Sequence, residues 1–386
     1  MDYPTRCSLT GTLRRASAVA LLSTLALLAT YANGQGVTND SIIVGQSASL
    51  TGPSEEIGRE MKAGADAFFN AVNEAGGING RKIKLISLDD AGVPDKTKAN
   101  TLKLLNEDNA FALFGYTGTY AINPILPLVE KNKVPFFAPA SGDVANREPL
   151  SRYVYNIRAS YSEETEKIVE QLIRRGLTKI AIFYQNDAYG RAGLAGLENA
   201  LRARKSNILI FGSADRHSTN VTSSAQTIAK SGAQAVIISA GANTAIAFIK
   251  EMKKLGSNAQ FCLLSSAGAM TVAAQLGDEG RGVEVSQVVP SPFSDSEPLG
   301  REYLKRIGGP SKASFASFEG YIAANIFVEG LKKAGKGLTR ESFLAAMDKL
   351  GTVDLRGFRA KFSADNHNGS SFVELTVLGA GGTFKR

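Results

Sequence analysis

The chain has 386 residues, with 44 Lys and Arg against 36 Asp and Glu and a net charge of +8. The basic residues are spread along the chain rather than clustered, which excludes a nucleic-acid footprint, and the length exceeds what one core usually organises, which predicts two domains. Two cysteines (Cys7, Cys262) and two histidines (His217, His367) offer no disulfide framework and no metal cluster.

The first stretch carries an address rather than a fold. Arg6, Arg14 and Arg15 precede an apolar run over 16–29, and small residues follow at Ala32 and Gly34. A basic region, a short apolar core and a small-x-small site predict a secretory leader, cleaved after Gly34 or, alternatively, after Ala32. The run falls short of the roughly 20 apolar residues that a membrane span needs. No cysteine follows it directly, which argues against a lipid anchor, and Cys7 leaves with the leader. Cys262 is then single and reads as a core residue, being flanked by Phe261, Leu263 and Leu264.

Beyond the leader the pattern alternates strand and helix. IIVG after Ser41 predicts a buried strand, and SASLTGP at 47–53 brings Ser49 and Thr51 into a turn. A helix over 56–73 carries Met61, Ala65, Phe68, Phe69 and Val72 on one face. Glycines at 76–80 stop it, a strand over 82–88 ends in Asp89 and Asp90, and a helix over 94–106 opens on a proline. The run 111–114 is a short strand, followed by a hydroxyl-rich turn holding Tyr116 and Thr119. Ile122, Ile125, Leu126 and Val129 then recur at helical spacing, and Pro124 and Pro127 are tolerated near the start. A strand over 135–138 runs into the turn 139–142 with Ala140 and Ser141. Two strand ends thus deliver hydroxyls to one edge of a parallel sheet, where ligands bind. A helix opening at Thr119 would aim free N–H groups at an anion, most simply a carboxylate; polar turns of an ordinary βαβ unit are the alternative.

A second series follows. The stretch 153–157 is extended and leads past Arg158 to Tyr161, where Ser162 is expected to cap a helix whose first turn holds Glu163, Glu164 and Glu166. Strands are expected over 180–184, 208–211, 235–239 and 261–264, separated by helices from the Tyr189 turn to about Lys205, over 221–230 and over 243–255. After an extended stretch at 282–290 come helices over 297–306, 315–333 and 341–350, the last capped by Thr339, and strands over 359–362 and 372–378. The order predicts an α/β class with doubly wound parallel sheets in two lobes.

These features resemble the periplasmic solute-binding proteins of the branched-chain amino acid (Leu/Ile/Val-binding) type, which feed ABC transporters. The resemblance rests on SASLTGP at 47–53 before a long helix, AGGINGRKIKL at 75–85, VPFFAPASG at 134–142 and NDAYGRAGL at 186–194, and it spans the chain beyond the leader. It implies a type I periplasmic binding protein fold, with two lobes joined by three crossovers that close over a ligand on a hinge. The crossovers are expected near Arg158, near Val289 and between Asn366 and Ser371. The implied division is a leader at 1–34, an N-terminal lobe at 35–158 plus 290–367, and a C-terminal lobe at 159–289 plus 368–386. The implied partners are a small-molecule ligand, carboxylate or amino acid, and an ABC permease in the inner membrane. The protein would be a periplasmic monomer without cofactor, metal or nucleic acid.

Carried over residue by residue, the family's carboxylate-binding hydroxyl falls on Thr119 and its backbone turn on Ala140 and Ser141. Its hydroxyl in that turn falls on Gly142, with Ser141 as substitute. Its second-lobe aromatic falls on Tyr189. A further aromatic meets only Gly241 and Ala242, and the acid that would hold an α-ammonium falls on Ser265. Ser49, Thr51, Tyr116 and Tyr161 complete the expected lining, each with a structural alternative as a turn or rim residue. Arg158 reads as a structural hydrogen-bonding residue at the hinge. A buried ammonium without a carboxylate partner is costly, so a carboxylate lacking the amine is favoured over leucine, with Asp187 as the acid that could still reach an amine. An exported enzyme is the less favoured reading: both histidines read as solvated loop residues, and neither a G-x-S-x-G elbow nor an HExxH helix is present. A ligand-sensing subunit of a membrane receptor remains an alternative with the same pocket.

Overall fold

A computed structural model of the chain describes residues 1–2 and 35–385. The expected leader lies, apart from its first two positions, outside the described residues. The N-terminal sheet holds five parallel strands in the order β2-β1-β3-β4-β5: β1 Ser41–Ala48, β2 Lys82–Asp89, β3 Ala112–Phe114, β4 Phe136–Phe137 and β5 Val154–Tyr155. All of β1 but Ile43 is buried, as expected for a central parallel strand covered on both faces. Helix α1 (Glu55–Glu74) follows β1, α2 (Pro94–Asn106) follows β2, and short α3 (Thr119–Ile122) runs through a 3-10 turn into α4 (Leu126–Asn132).

The C-terminal sheet begins after α5 (Tyr161–Arg174). Its parallel strands are β6 Ile180–Gln185, β7 Phe211–Ala214, β8 Ala235–Ser239, β9 Gln260–Leu263 and β10 Glu284–Gln287. They alternate with α6 (Ala188–Arg202), α7 (Thr222–Lys230), α8 (Ala242–Lys254) and α9 (Ala269–Leu276). The chain then returns to the first lobe through α10 (Pro298–Ile307), α11 (Phe315–Ala334) and α12 (Arg340–Asp348), and a small hairpin pairs β11 (Gly351–Asp354) with β12 (Arg359–Phe362). It finally adds β13 (Glu374–Leu378) and β14 (Phe384–Lys385) antiparallel to the edge of the second sheet, giving the order β14-β13-β10-β9-β8-β6-β7.

Helix α11 lies against α1 at close range. A Cβ added to Gly64 would stand 1.7 Å from the Ser317 carbonyl oxygen, and one on Gly320 would stand 2.1 Å from that of Met61. The two glycines let the backbones touch, and Phe69, Phe114, Phe137, Phe327 and Phe343 fill the space beside them. Two of the segments passing between the lobes run side by side: the Asn156 N–H donates to the His367 carbonyl at 2.8 Å, and the Gly369 N–H donates to the Asn156 carbonyl at 2.8 Å.

Several local expectations are corrected. Helix α5 is capped by Ser160, not Ser162: the Ser160 hydroxyl accepts from the Glu163 N–H at 3.2 Å, and the Glu163 carboxylate accepts from the Ser160 N–H at 2.7 Å. Ser160 has the extended backbone that a cap requires, whereas Ser162 already lies inside the helix. Strand β7 starts at Phe211 rather than 208: it is an edge strand, and both Phe211 and the preceding Leu209 face solvent, so apolar residues there do not mark a buried strand. Helix α9 and strands β11 and β14 were not expected from the sequence pattern. His367 is not solvated. It is 2 % exposed, its Nδ1 lies 2.9 Å from the Ser151 carbonyl and its Nε2 3.1 Å from Asp348, and its ring stacks on Tyr155. His217 is half-buried in a loop. Cys262 is fully buried, and burial pushes its thiol pKa well up, so it is inert as a nucleophile.

Candidate functional site

The carboxyl ends of β1 and β3 face those of β6, β8 and β9 across the gap between the lobes. A cavity of about 40 Å³ lies there, enough for a few water molecules. The first lobe lines it with Ser49, Thr117, Thr119, Tyr120 and Ala140, and the second with Tyr161, Gln185, Tyr189, Gly241 and Ser266. Ser54 and Ile57 complete the wall toward a wider mouth of about 430 Å³, where Glu55, Glu56, Arg59 and Glu60 face Asn243 and Gln275.

Of the expected lining, Ser49, Thr119, Ala140, Tyr161, Tyr189 and Gly241 are brought together, and four positions are not. Tyr116 turns into the core of the first lobe, its ring 5.2 Å from Phe136 and its hydroxyl 3.1 Å from Thr101. Side chains alternate along an extended segment, so Thr117, its neighbour, faces the cavity instead. The Thr51 hydroxyl donates to Asp89 at 2.6 Å on the exposed rim. Ser141 stands behind Thr119 rather than on the wall. Ser265 turns away to Glu164 and Arg158, leaving the next residue, Ser266, on the wall. Thr117 belongs to the hydroxyl-rich turn that the sequence flags, and Ser266 directly follows Ser265, the position expected to line the site. Ile57 reads only as one more apolar helix position, and Gln185 as the end of a strand.

The hydroxyls form a row across the cleft. Ser141 Oγ lies 2.9 Å from Thr119 Oγ1, Thr119 Oγ1 lies 3.1 Å from Tyr161 Oη, and Tyr161 Oη lies 3.0 Å from Ser266 Oγ. The Tyr161 and Tyr189 rings sit 5.2 Å apart, and Tyr189 Oη is buried with no well-formed hydrogen bond among the described residues, only a weaker interaction with the Ser239 side chain. Gly142 carries no hydroxyl for a plain reason: a Cβ there would meet the Tyr161 backbone nitrogen at 2.6 Å. The backbone N–H groups of Ala140 and Ser141 are already committed, to the carbonyls of Tyr116 and Pro139 at 2.8 Å each.

Beneath this wall lies a buried charged layer. Arg158 stands 3.9 Å from Glu164 and 3.7 Å from Glu319 and donates to the Ser265 hydroxyl. Burial works against its charge, but Glu319 and then Tyr161 and Glu164 more than offset it, so its pKa is raised. Burial also raises the pKa of both acids, with Arg158 pulling the other way. Glu164 is fully engaged: it accepts from the Ser265 N–H at 2.8 Å, from the Ser265 hydroxyl at 2.9 Å and from the Ser286 hydroxyl. Arg147 donates only to carbonyls, those of Ser141, Asp143 and Arg158, at 2.8–3.1 Å. Burial, and then Arg158, lower its pKa to about 10, so it remains a cation at neutral pH. Asp187 caps α6 through the Gly190 N–H at 3.0 Å and accepts from Gln185 at 2.6 Å, and it does not line the cavity.

Two side chains that do not line the inner cavity clasp the cleft. The Glu56 carboxylate, in the first turn of α1, accepts from the Met270 and Thr271 N–H groups of α9 at 3.1 and 2.8 Å. Arg216 of the second lobe donates to the Gly92 carbonyl at 2.8 Å and lies 4.2 Å over the Tyr120 ring.

The periplasmic binding protein family matches the chain over residues 41–382. An amino acid binding protein of Pseudomonas aeruginosa is 23% identical over 235 residues, covering 60% of this chain and 61% of that protein, so the chain spans about three fifths of that relative's length. The Leu/Ile/Val-binding protein homolog 7 of Brucella suis is 23% identical over 371 residues, 90% of each chain. Among solved structures, a possible leucine/isoleucine/valine-binding protein from Rhodopirellula baltica superposes with a TM-score of 0.83 at 31% identity, covering 88% of this chain and 95% of that one. With two α/β lobes, a cleft lined from both, and a family match over nearly the whole described length, the chain belongs to the periplasmic binding protein family, as a substrate-binding protein.

Proposed function

We propose that this protein captures a small carboxylate lacking an α-amine and delivers it to an ABC permease of the inner membrane, working as a periplasmic monomer without catalysis. The observation that carries the reading is the cavity wall: hydroxyls from both lobes, and no acidic or basic side chain among its lining residues. An ammonium there would meet no carboxylate, because Ser265 stands at the family's acid position, Glu164 is engaged below it and Asp187 caps α6. A desolvated, unpaired ammonium is strongly disfavoured. An anion there would instead face hydroxyl donors, with the buried Arg147 cation near Tyr161 in the layer behind them. Relatives named for leucine, isoleucine and valine support a ligand of that size, which would fill the inner cavity with its acid end and extend into the wider mouth that shares its wall.

Calorimetry with benzoate, 4-methyl-2-oxopentanoate and leucine tests this. One of the two acids should bind with leucine at least about tenfold weaker, the lower end of the penalty for an unpaired buried polar group. Tight binding of leucine with neither acid would return the protein to ordinary amino acid transport.

A further inference from the structure

Resting on the carboxylate reading above, we propose that Ser266 is the hydroxyl that donates to the ligand's carboxylate, and that Ser141, Thr119 and Tyr161 act behind it as a one-way relay.

The direction follows from counting protons. Each hydroxyl has one proton to donate and two lone pairs to accept with. Ser141 Oγ already accepts from the Asp143 N–H at 3.2 Å, and Thr119 is the one acceptor its own proton meets among the described residues. Ser141 is fully buried, so a proton left without an acceptor there would carry the full desolvation cost. Ser141 therefore donates to Thr119, Thr119 to Tyr161 and Tyr161 to Ser266. The reverse order would strand the Ser141 proton in the protein interior. The forward order leaves one proton uncommitted, on Ser266, and Ser266 lines the cavity. Hydrogen bonds in such a chain polarise one another, which makes the terminal proton a better donor than that of an isolated serine.

A second observation points to the same place. Tyr189 is 5 % exposed, lines the cavity beside Tyr161, and its hydroxyl makes no well-formed hydrogen bond among the described residues, the Ser239 side chain interacting with it only weakly. Its pKa is raised well above that of free tyrosine, by burial first and Tyr161 next, so it stays protonated. Two uncommitted O–H donors from the second lobe thus converge on one wall that carries no charge. The group they read is an oxygen acceptor. Thr119 is a positioning residue in this scheme, since its proton goes to Tyr161 and not to the ligand.

The test is calorimetry of the full chain with benzoate and with 4-methyl-2-oxopentanoate, alongside melting temperatures. Ser266→Ala should weaken the acid that wild type binds by at least about tenfold, the loss of one hydrogen bond to a charged group, while Ser266→Thr should stay near wild type. Tyr189→Phe should weaken binding with little change in the melting temperature, because the hydroxyl it removes makes no well-formed hydrogen bond to the protein. Thr119→Val should weaken binding and Thr119→Ser should restore it. The double variant Thr119→Val with Ser266→Ala should lose no more than Ser266→Ala alone, because the two act as one unit; a purely structural role for Thr119 would add its own loss. If wild type binds either acid and Ser266→Ala binds it equally well, the relay is wrong and the carboxylate reading stands. Additive losses in the double variant would equally overturn the relay. If wild type binds neither acid, both fall together.

Discussion

Glu319 and Glu164 are carboxyls held in a place that disfavours their charge. Burial raises both pKa values, and Arg158 between them only partly offsets it. A carboxyl raised on folding binds more protons in the folded chain, from its unfolded value near 4.5 up to its folded one. Its stabilising contribution is therefore complete below that window and is lost as pH rises through the folded pKa. Glu319→Gln removes this titration while keeping the shape. Its melting temperature should gain on wild type as the pH is raised from about 5 to about 8, and a pH-independent difference would show that Glu319 does not titrate in that range. The same layer explains why Ser265 does not line the cavity: Arg158 and Glu164 hold its hydroxyl, and Glu164 its N–H.

At the scale of elements, the packing of α1 on α11 sets the shape of the first lobe. Gly64→Ala would drive a methyl group onto the Ser317 carbonyl, at 1.7 Å before relaxation. The helices would have to separate, with a loss of about 3 kcal/mol, the upper end for overpacking. Urea unfolding followed by circular dichroism should show the midpoint falling by that measure, and an unchanged midpoint would mean that the helices slide apart freely. The capping box of α5 is a smaller case. Ser160→Ala removes the acceptor for the Glu163 N–H and should cost about 1 kcal/mol, while Ser162→Ala, inside the helix, should cost less. Ser160 also ends the first crossover, so its cap fixes where Tyr161 enters the cavity wall.

At the scale of the whole molecule, closure is held by two side chains, Glu56 and Arg216, that do not themselves line the inner cavity. Glu56 reaches across to the start of α9, and Arg216 reaches back to Gly92 and Tyr120. A ligand binds more weakly when the closed state is less populated, in proportion to that population. Arg216→Ala combined with Glu56→Gln should therefore weaken whichever acid wild type binds. Small-angle scattering without ligand should also show a larger radius of gyration than wild type. Equal radii and equal affinities would mean that these contacts are incidental to closure. The parallel pairing of Asn156 with Asn368 places two crossing segments together, where a hinge can bend both at once.

Apart from α9, β11 and β14, the strand-helix order, the two lobes and the turns that face the cleft were legible in the sequence, because apolar periodicity and glycine or hydroxyl punctuation are local signals. Thr119, Ala140, Tyr161 and Tyr189 could be named from motifs, since each sits at a fixed offset from a strand end. What the tertiary structure alone decided is direction. Whether Tyr116 or Thr117 faces the cleft depends on the pleat, and a one-residue shift reverses it. Whether Ser265 or Ser266 lines the cavity depends on Arg158 and Glu164, which arrive from other elements. His367 looks solvated in the polar run Asp365–Gly369, yet it is buried because Tyr155, Ser151 and Asp348 are brought around it from distant parts of the chain. Helix α9 has few local signals of its own, and its first N–H groups are satisfied by a carboxylate from the opposite lobe, a partner 214 residues away in the chain.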